Sequence, residues 1–415
     1  MGKSDMNEFD VVIRGGGPLA CAIARDAVGR GLRVLLSSQG DFGGDLRQHI
    51  VSCGLSLLPD QEDIPNEETA IMQRICPQLK TSATQATKDT RIRLFKSKEQ
   101  PRVTLPCGSI ANRFALLNAR DATERGAHLY PQSQLDIQKY EDTKWLATVT
   151  SNDGAVLASV SARVYINTIP AASDASIGWA RVATFDRPKT LENFAKRRGE
   201  SIQFAFEGAG DTADIGIIAP HKPSTEEVGE LARKIGVHGQ PIWVSEAFTP
   251  NVQLAQLTIN HGPTQFDIPD RAPSGWRKQA EEVVAEIAPF AQMIGKRWTA
   301  FSTLPGGDFE PALRETLLAE LRNSHPNIDT NAMERMFSSY GTECHRIFGA
   351  KGDLGEHFGA GLFEAEVEWL VSQEWAQTAN DILWRRTLLG MHFTEDQTEG
   401  LSAWMLRAQK QHIVN

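Results

Sequence analysis

A run of three glycines between an apolar strand and an alanine-rich helix constrains this chain more than any other feature. Val11 to Ile13 form a short β-rich run. Gly15, Gly16 and Gly17 follow, Pro18 to Gly31 read as a helix, and Leu32 to Leu36 close the unit as a second strand. Strand, glycine turn, helix, strand is the opening of a doubly wound α/β sheet. Gly15 lets the chain turn, Gly17 lets a pyrophosphate approach the backbone, and Ala20 is small enough for the helix to pack on the sheet. Such an anion site needs little beyond amide groups at a helix N-terminus. The same small residues also satisfy a tight strand–helix turn with nothing bound. The second strand ends in Ser37 and Ser38, where a dinucleotide site expects Asp or Glu to grip a ribose, and no arginine stands there for a 2′-phosphate.

Length and composition narrow the setting. The 415 residues suffice for two or three domains, and 41% hydrophobic with 23% charged residues is the balance of an ordinary globular protein. A net charge of −9 without a dense Lys/Arg run argues against a nucleic-acid or anionic-membrane surface. No apolar run reaches transmembrane length, and the first residues lack the apolar core of a secretory signal. Cys21, Cys53, Cys76, Cys107 and Cys344 form no close pair. Such a scattered set fits a reducing compartment, so the expectation is a cytoplasmic or other reducing intracellular protein. No metal site is expected: His345, His357, Glu364 and Glu366 read as polar faces of tail helices.

Along the chain, residues 59–70 read as exposed loop or helix edge and Arg91 to Phe95 as a strand. A helix from Ser109 to Arg125, capped by Ser109 or Asn112, ends at Gly126. Leu129 to Leu135 and Trp145 to Val149 read as a meander, the turn at Asn152-Asp153-Gly154 leads on, and Arg163 to Asn167 is a buried strand. Residues 175–262 alternate as a mixed sheet interrupted by a helix at 225–235, and 276–290 is helical. Beyond Trp298, helical patterns cover 310–322, 330–340, 353–370 and 373–389. Trp369, Trp375, Trp384, Phe393 and Trp404 are spaced for core packing.

These motifs resemble the FAD-dependent glycerol-3-phosphate dehydrogenases. The resemblance rests on residues 10–41, on LLNARDATERGA (116–127), on LPGGDF (304–309) and above all on the long block 353–397. It implies three parts. They are an FAD-binding Rossmann-like doubly wound domain (8–60, 110–172 and 252–297), a substrate-type mixed α/β domain (61–109 and 173–251) and a C-terminal all-helical domain (298–415). It also implies an ancestral reaction: hydride transfer from C2 of glycerol 3-phosphate to FAD, with electrons passed to a membrane quinone. The family's departures here cluster where that chemistry belongs. The ribose carboxylate falls at Ser38. In the family's Lys-x-x-His-Gly-Gly-Leu-Arg-Tyr-Leu run, the lysine falls at His49, the histidine at Ser52 and the arginine at Ser56. The Asn-Ala-Ala-Gly-Pro turn falls at Asn167 to Ala171, and the Gly-Val-Arg-Pro segment corresponds loosely to Ala247 to Pro250.

Three readings follow from the sequence. One is a divergent member with FAD chemistry lost or much reduced, acting through an unidentified protein partner or oligomer. A second is an active FAD-dependent oxidoreductase on a polyol phosphate, with His49, His261 and Arg277 as the available catalytic groups. The residues placed to hold FAD are Gly15, Gly16, Gly17, Ala20 and Ser38; a third reading, suggested by Gly15 to Gly17, is a binding module for another nucleotide. Each catalytic candidate also reads as a surface imidazole or a solvated helix charge. Peripheral membrane contact is compatible with the first two readings, although no lysine-rich amphipathic helix stands out.

Overall fold

The computed structural model describes residues 7–43, 66–79, 107–169, 178–186, 188, 191, 194–199, 201–207, 212–249, 258–261, 264–268, 275–290, 295–349 and 353–414. The N-terminal unit forms as the glycine pattern requires. Strand β1 (Asn7–Arg14) leads into helix α1 (Pro18–Gly29) and strand β2 (Val34–Ser37). Helix α2 (Asn66–Ile75) and helix α3 (Cys107–Glu124) precede β3 (His128–Tyr130), β4 (Ser133–Glu141), β5 (Lys144–Ser151) and β6 (Val156–Asn167). Farther along the chain come β7 (Gly178–Asp186), β8 (Phe194–Arg198), β9 (Ser201–Glu207), β10 (Thr212–Ala219), helix α4 (Thr225–Lys234), β11 (Trp243–Thr249), β12 (Thr258–His261), β13 (Thr264–Asp267) and helix α5 (Trp276–Ile287).

The first sheet runs β12-β13-β6-β1-β2-β3, with β5 also on β6 and β4 on β5. Its centre is parallel: Val12 sits between Leu35 and Tyr165, and Ile13 between Leu36 and Ile166. A strand buried on both faces reads as a continuous apolar run, which is why Val11, Val12 and Ile13 are all sealed from water. On one face α1, α3 and α5 pack in a core that takes in Leu19, Ile23, Phe114, Leu117, Val284 and Ile287. On the other, Phe9, Val12 and Leu35 meet Leu135, Trp145 and Val149 of the meander. The second sheet is antiparallel, β11-β7-β10-β9-β8, and α4 covers one face through Val228 and Leu231. Ser224 and Glu227 cap α4 reciprocally.

The tail holds α6 (Arg314–Ser324), α7 (Thr330–Tyr340), α8 (Cys344–Phe348), β14 (His357–Gly359), β15 (Leu362–Phe363), α9 (Glu364–Glu374), α10 (Ala379–Asp381) and α11 (Glu395–Val414). Its core gathers Met333, Met336, Phe337, Phe348, Leu370 and Leu401. The tail joins the first domain at the LPGG turn. There Gly306 and Gly341 pack back to back, each so close to the other's peptide that a Cβ would lie about 2 Å from a carbonyl oxygen.

Several expectations are corrected. Residues 353–363 are not helical: Gly355, Ala360 and Gly361 take positive φ and turn the chain into the β14–β15 hairpin before α9 begins. Trp375 and Leu388 likewise take positive φ and interrupt the 373–389 pattern; a π-helical turn, Ile382–Arg386, lies between them. Residues 66–75 form a helix with Glu68 buried. Ile75, Cys76 and Leu79 pack in the first core, not with the second sheet. Helix α3 begins by Cys107, so Asn112 lies inside it and caps nothing. Trp369, Trp384, Phe393 and Trp404 pack as expected, whereas Trp375 turns to Phe42 of the first core. The strand expected at Arg91 to Phe95 lies outside the described residues.

Candidate functional site: a glycine turn held by the tail

The turn after β1 is shaped by close approach. Gly15 has φ +136°, and a Cβ there would lie 2.0 Å from Thr168 Oγ1. A Cβ on Gly16 would lie 2.1 Å from Ser38 Oγ and 3.0 Å from the Asp41 carbonyl oxygen. Only glycine fits either position. The Gly15 amide donates to the Ser37 carbonyl (2.9 Å), and the Gly43 amide donates to the Gly16 carbonyl (2.8 Å). Helix α1 starts after Gly17 with no side-chain cap and Pro18 at its first position. Among the described residues no side chain caps its first-turn amides, so these and the helix dipole suit an anion. Ala20 is fully buried and lies 3.7 Å from the position of a Gly15 Cβ. The structure thus brings Gly15, Gly16, Gly17, Ala20 and Ser38 together at one turn.

Ser38 faces inward. It is buried, its Oγ donates to the Asp41 carbonyl (3.4 Å), and its backbone bonds Tyr130 and Ser133. Beside it Ser37 Oγ shares a hydrogen bond with Ser133 Oγ (2.9 Å). Among the described residues no carboxylate stands in for Ser38 at this strand end. The carboxylate nearest in sequence, Asp41, accepts from the Phe42 amide (2.8 Å) and pairs with both terminal nitrogens of Arg386 on the π-helical turn. A second bond follows: Arg113 on α3 grips Glu374 at 2.6 and 2.9 Å and donates to the Ser339 carbonyl (2.9 Å). Phe42 meets Trp375 edge to face at 5.3 Å. Burial by itself would raise the Glu374 carboxyl, but the Arg113, Arg120 and Arg386 charges outweigh it and hold it below the ordinary glutamate range. Burial likewise disfavours the Arg386 cation, and Asp41 more than reverses this.

Nothing local in the chain signals that the loop after β2 is held from the tail, because Asp41 and Arg386 lie 345 positions apart. One available signal was helical: Arg113 and Arg120 stand seven residues apart on α3, whose other residues are mostly apolar or small, and both prove buried.

Of the catalytic candidates only Arg277 has a described side chain, and its partners lie elsewhere than this turn. Arg277 is buried. Its guanidinium grips both oxygens of Glu68 (2.7 and 2.5 Å), reaches Glu281 at 2.8 Å and donates to Thr299 Oγ1 (3.2 Å). That cluster ties α5 to α2 and to the start of the tail, so Arg277 is no solvated helix charge. His261 lies on β12, opposite Thr264 of β13, and its side chain is outside the described residues, as is all of His49. In the second sheet, Asp214 is buried on β10 and accepts from Thr184 Oγ1 (2.6 Å). Burial pushes its carboxyl up to about 6. Among the described residues no His/Cys/Asp/Glu cluster suits a metal ion, and no helix is long and apolar enough to cross a membrane.

Residues 298–405 match the C-terminal domain of alpha-glycerophosphate oxidase. Over nearly its whole length the chain is 26% identical to a glycerol-3-phosphate dehydrogenase of Pseudomonas aeruginosa, covering 96% of this chain and 95% of that one. A shorter stretch is 37% identical to the aerobic glycerol-3-phosphate dehydrogenase of Escherichia coli, covering 33% of this chain and 28% of that one. Among solved structures, a glycerol-3-phosphate dehydrogenase from Bacillus halodurans complexed with FAD has the same fold, with a TM-score of 0.69 at 16% identity over 96% of this chain and 94% of that one.

Proposed function

Because the chain belongs to the FAD-dependent glycerol-3-phosphate dehydrogenase family, we propose that it is a divergent, shortened member. In this reading its flavin chemistry is lost or much reduced, and it works through contacts with a protein partner or with copies of itself in a reducing intracellular compartment. The observation that carries this is Ser38. At the strand end where the family grips the ribose, the side chain is a small hydroxyl turned into its own loop. Losing one charge-assisted hydrogen bond weakens a site by roughly 10- to 100-fold. The alignment to the Pseudomonas relative spans 496 positions, so that relative carries about 100 residues that this chain lacks. The tail, by contrast, matches a family domain over residues 298–405 and is joined to α3 and to the loop after β2 by buried ion pairs.

The residues still fit part of the cofactor. The Gly15–Gly17 backbone and the uncapped start of α1 suit a diphosphate. When bound, FAD would supply a hydride acceptor. This favours a second reading, an active oxidoreductase that oxidises glycerol 3-phosphate or a related polyol phosphate and passes electrons to quinone. Peripheral membrane contact belongs to that reading. Dye reduction by the full-length protein, with FAD added and a panel of polyol phosphates, separates the two. The first reading predicts no reduction above background; turnover with any of these substrates establishes the second.

A further inference from the structure

One buried residue at this site has no structural employment. Asn112 is 1% exposed, and among the described residues neither polar atom of its carboxamide has a hydrogen-bond partner. A dry donor and a dry acceptor, both unpaired, form a standing penalty that a leucine of similar size would avoid. Its position is informative. The Asn112 carboxamide oxygen lies 3.2 Å from where a Gly43 Cβ would be, and the Gly43 amide is the group that bonds the Gly16 carbonyl. Helix α3 feeds β3, which runs parallel to β2 and β1, so α3 begins at the C-terminal edge of those strands. Nucleotides bind open α/β sheets at that edge. Asn112 is therefore at the correct end of the sheet, against the loop that closes over the glycine turn.

We propose that Asn112 contacts a nucleotide seated on Gly15–Gly17, its carboxamide donating to and accepting from the ribose–diphosphate part of that ligand. The inference rests on the reading that the diphosphate end of the site remains usable. It explains why a polar side chain persists in the interior of α3 among Ala111, Phe114 and Ala115, all buried. A buried water bridging the carboxamide is the competing explanation, and the test distinguishes it.

The experiment is calorimetric titration of the full-length protein with ADP and, separately, with FAD, comparing wild type, Asn112→Leu and Asn112→Asp, with thermal melting of each unliganded protein. We expect Asn112→Leu to melt no lower than wild type and to bind about tenfold more weakly, the loss expected for one or two hydrogen bonds. Asn112→Asp should bind more weakly still, since it sets an anion against phosphates. A loss with both probes places the contact on the ribose–diphosphate part that they share; a loss confined to FAD places it beyond that part and overturns the assignment. Wild-type affinity in Asn112→Leu overturns the proposal, and a lowered melting point with unchanged affinity assigns the carboxamide to a structural water instead. If wild type binds neither probe, the underlying reading of the site fails, which is a distinct result. If Asn112→Leu does not fold, Asn112→Asp carries the same comparison.

Discussion

Asp214 is a carboxyl sealed inside the second sheet with one hydroxyl, Thr184, as its hydrogen-bond partner. Burial raises its folded pKa to about 6, above the value of an unfolded aspartate, so the folded protein holds a proton that the unfolded chain has released. The contribution of this group to stability is complete below about pH 4 and is lost as pH rises through 6. Asp214→Asn should therefore flatten the pH dependence between 4 and 6. It should also stabilise the protein at pH 7.5 by up to about 3 kcal/mol, the equivalent of two pKa units. Urea unfolding at pH 5 and 7.5 checks both. None of this was legible in the sequence, where Asp214 is one acid in an alternating strand. Its burial is a property of the sheet face. Arg277 teaches the same lesson in reverse: its apolar neighbours mark a helix face, and only the fold places Glu68 against it. The glycines at 15 to 17 and Ala20, in contrast, were legible because their constraint is local.

At the scale of elements, the π-helical turn at 382–386 and the loop after β2 stabilise each other. Arg386 on one and Asp41 on the other are both essentially inaccessible to water. Breaking a buried pair from one side leaves an uncompensated charge and costs about 3–5 kcal/mol, whereas replacing both partners with neutral groups costs much less. Arg386→Met should therefore lower unfolding stability by that amount, and adding Asp41→Asn should restore a large part of it, as read from denaturant midpoints. A loss in the double variant equal to the sum of the Arg386→Met and Asp41→Asn losses would show that the two groups do not interact. Element type was readable wherever periodicity was long, as in α3, α4, α5 and α7. It failed at 353–363, where closely spaced glycines outvoted the apolar pattern and made a hairpin. Those glycines were a visible signal for a turn, since positive φ is where glycine is least strained.

Across the whole molecule, the tail is bonded to the nucleotide-type domain at several buried points, Arg113–Glu374, Arg120–Glu343 and Arg386–Asp41. The loop beside the glycine turn is therefore held from both ends of the chain. This was half legible. The opening strand–turn–helix and the tail block each identified their own domain, but nothing in either showed that one holds the other's loop. The central claim is that this architecture survives while the grip on a flavin does not. It is tested most directly by purifying the full-length protein without added cofactor, incubating it with excess FAD, desalting it, and measuring flavin absorbance per chain. The account predicts well under one flavin per chain and a colourless preparation. A yellow protein that retains one flavin per chain through desalting would contradict it.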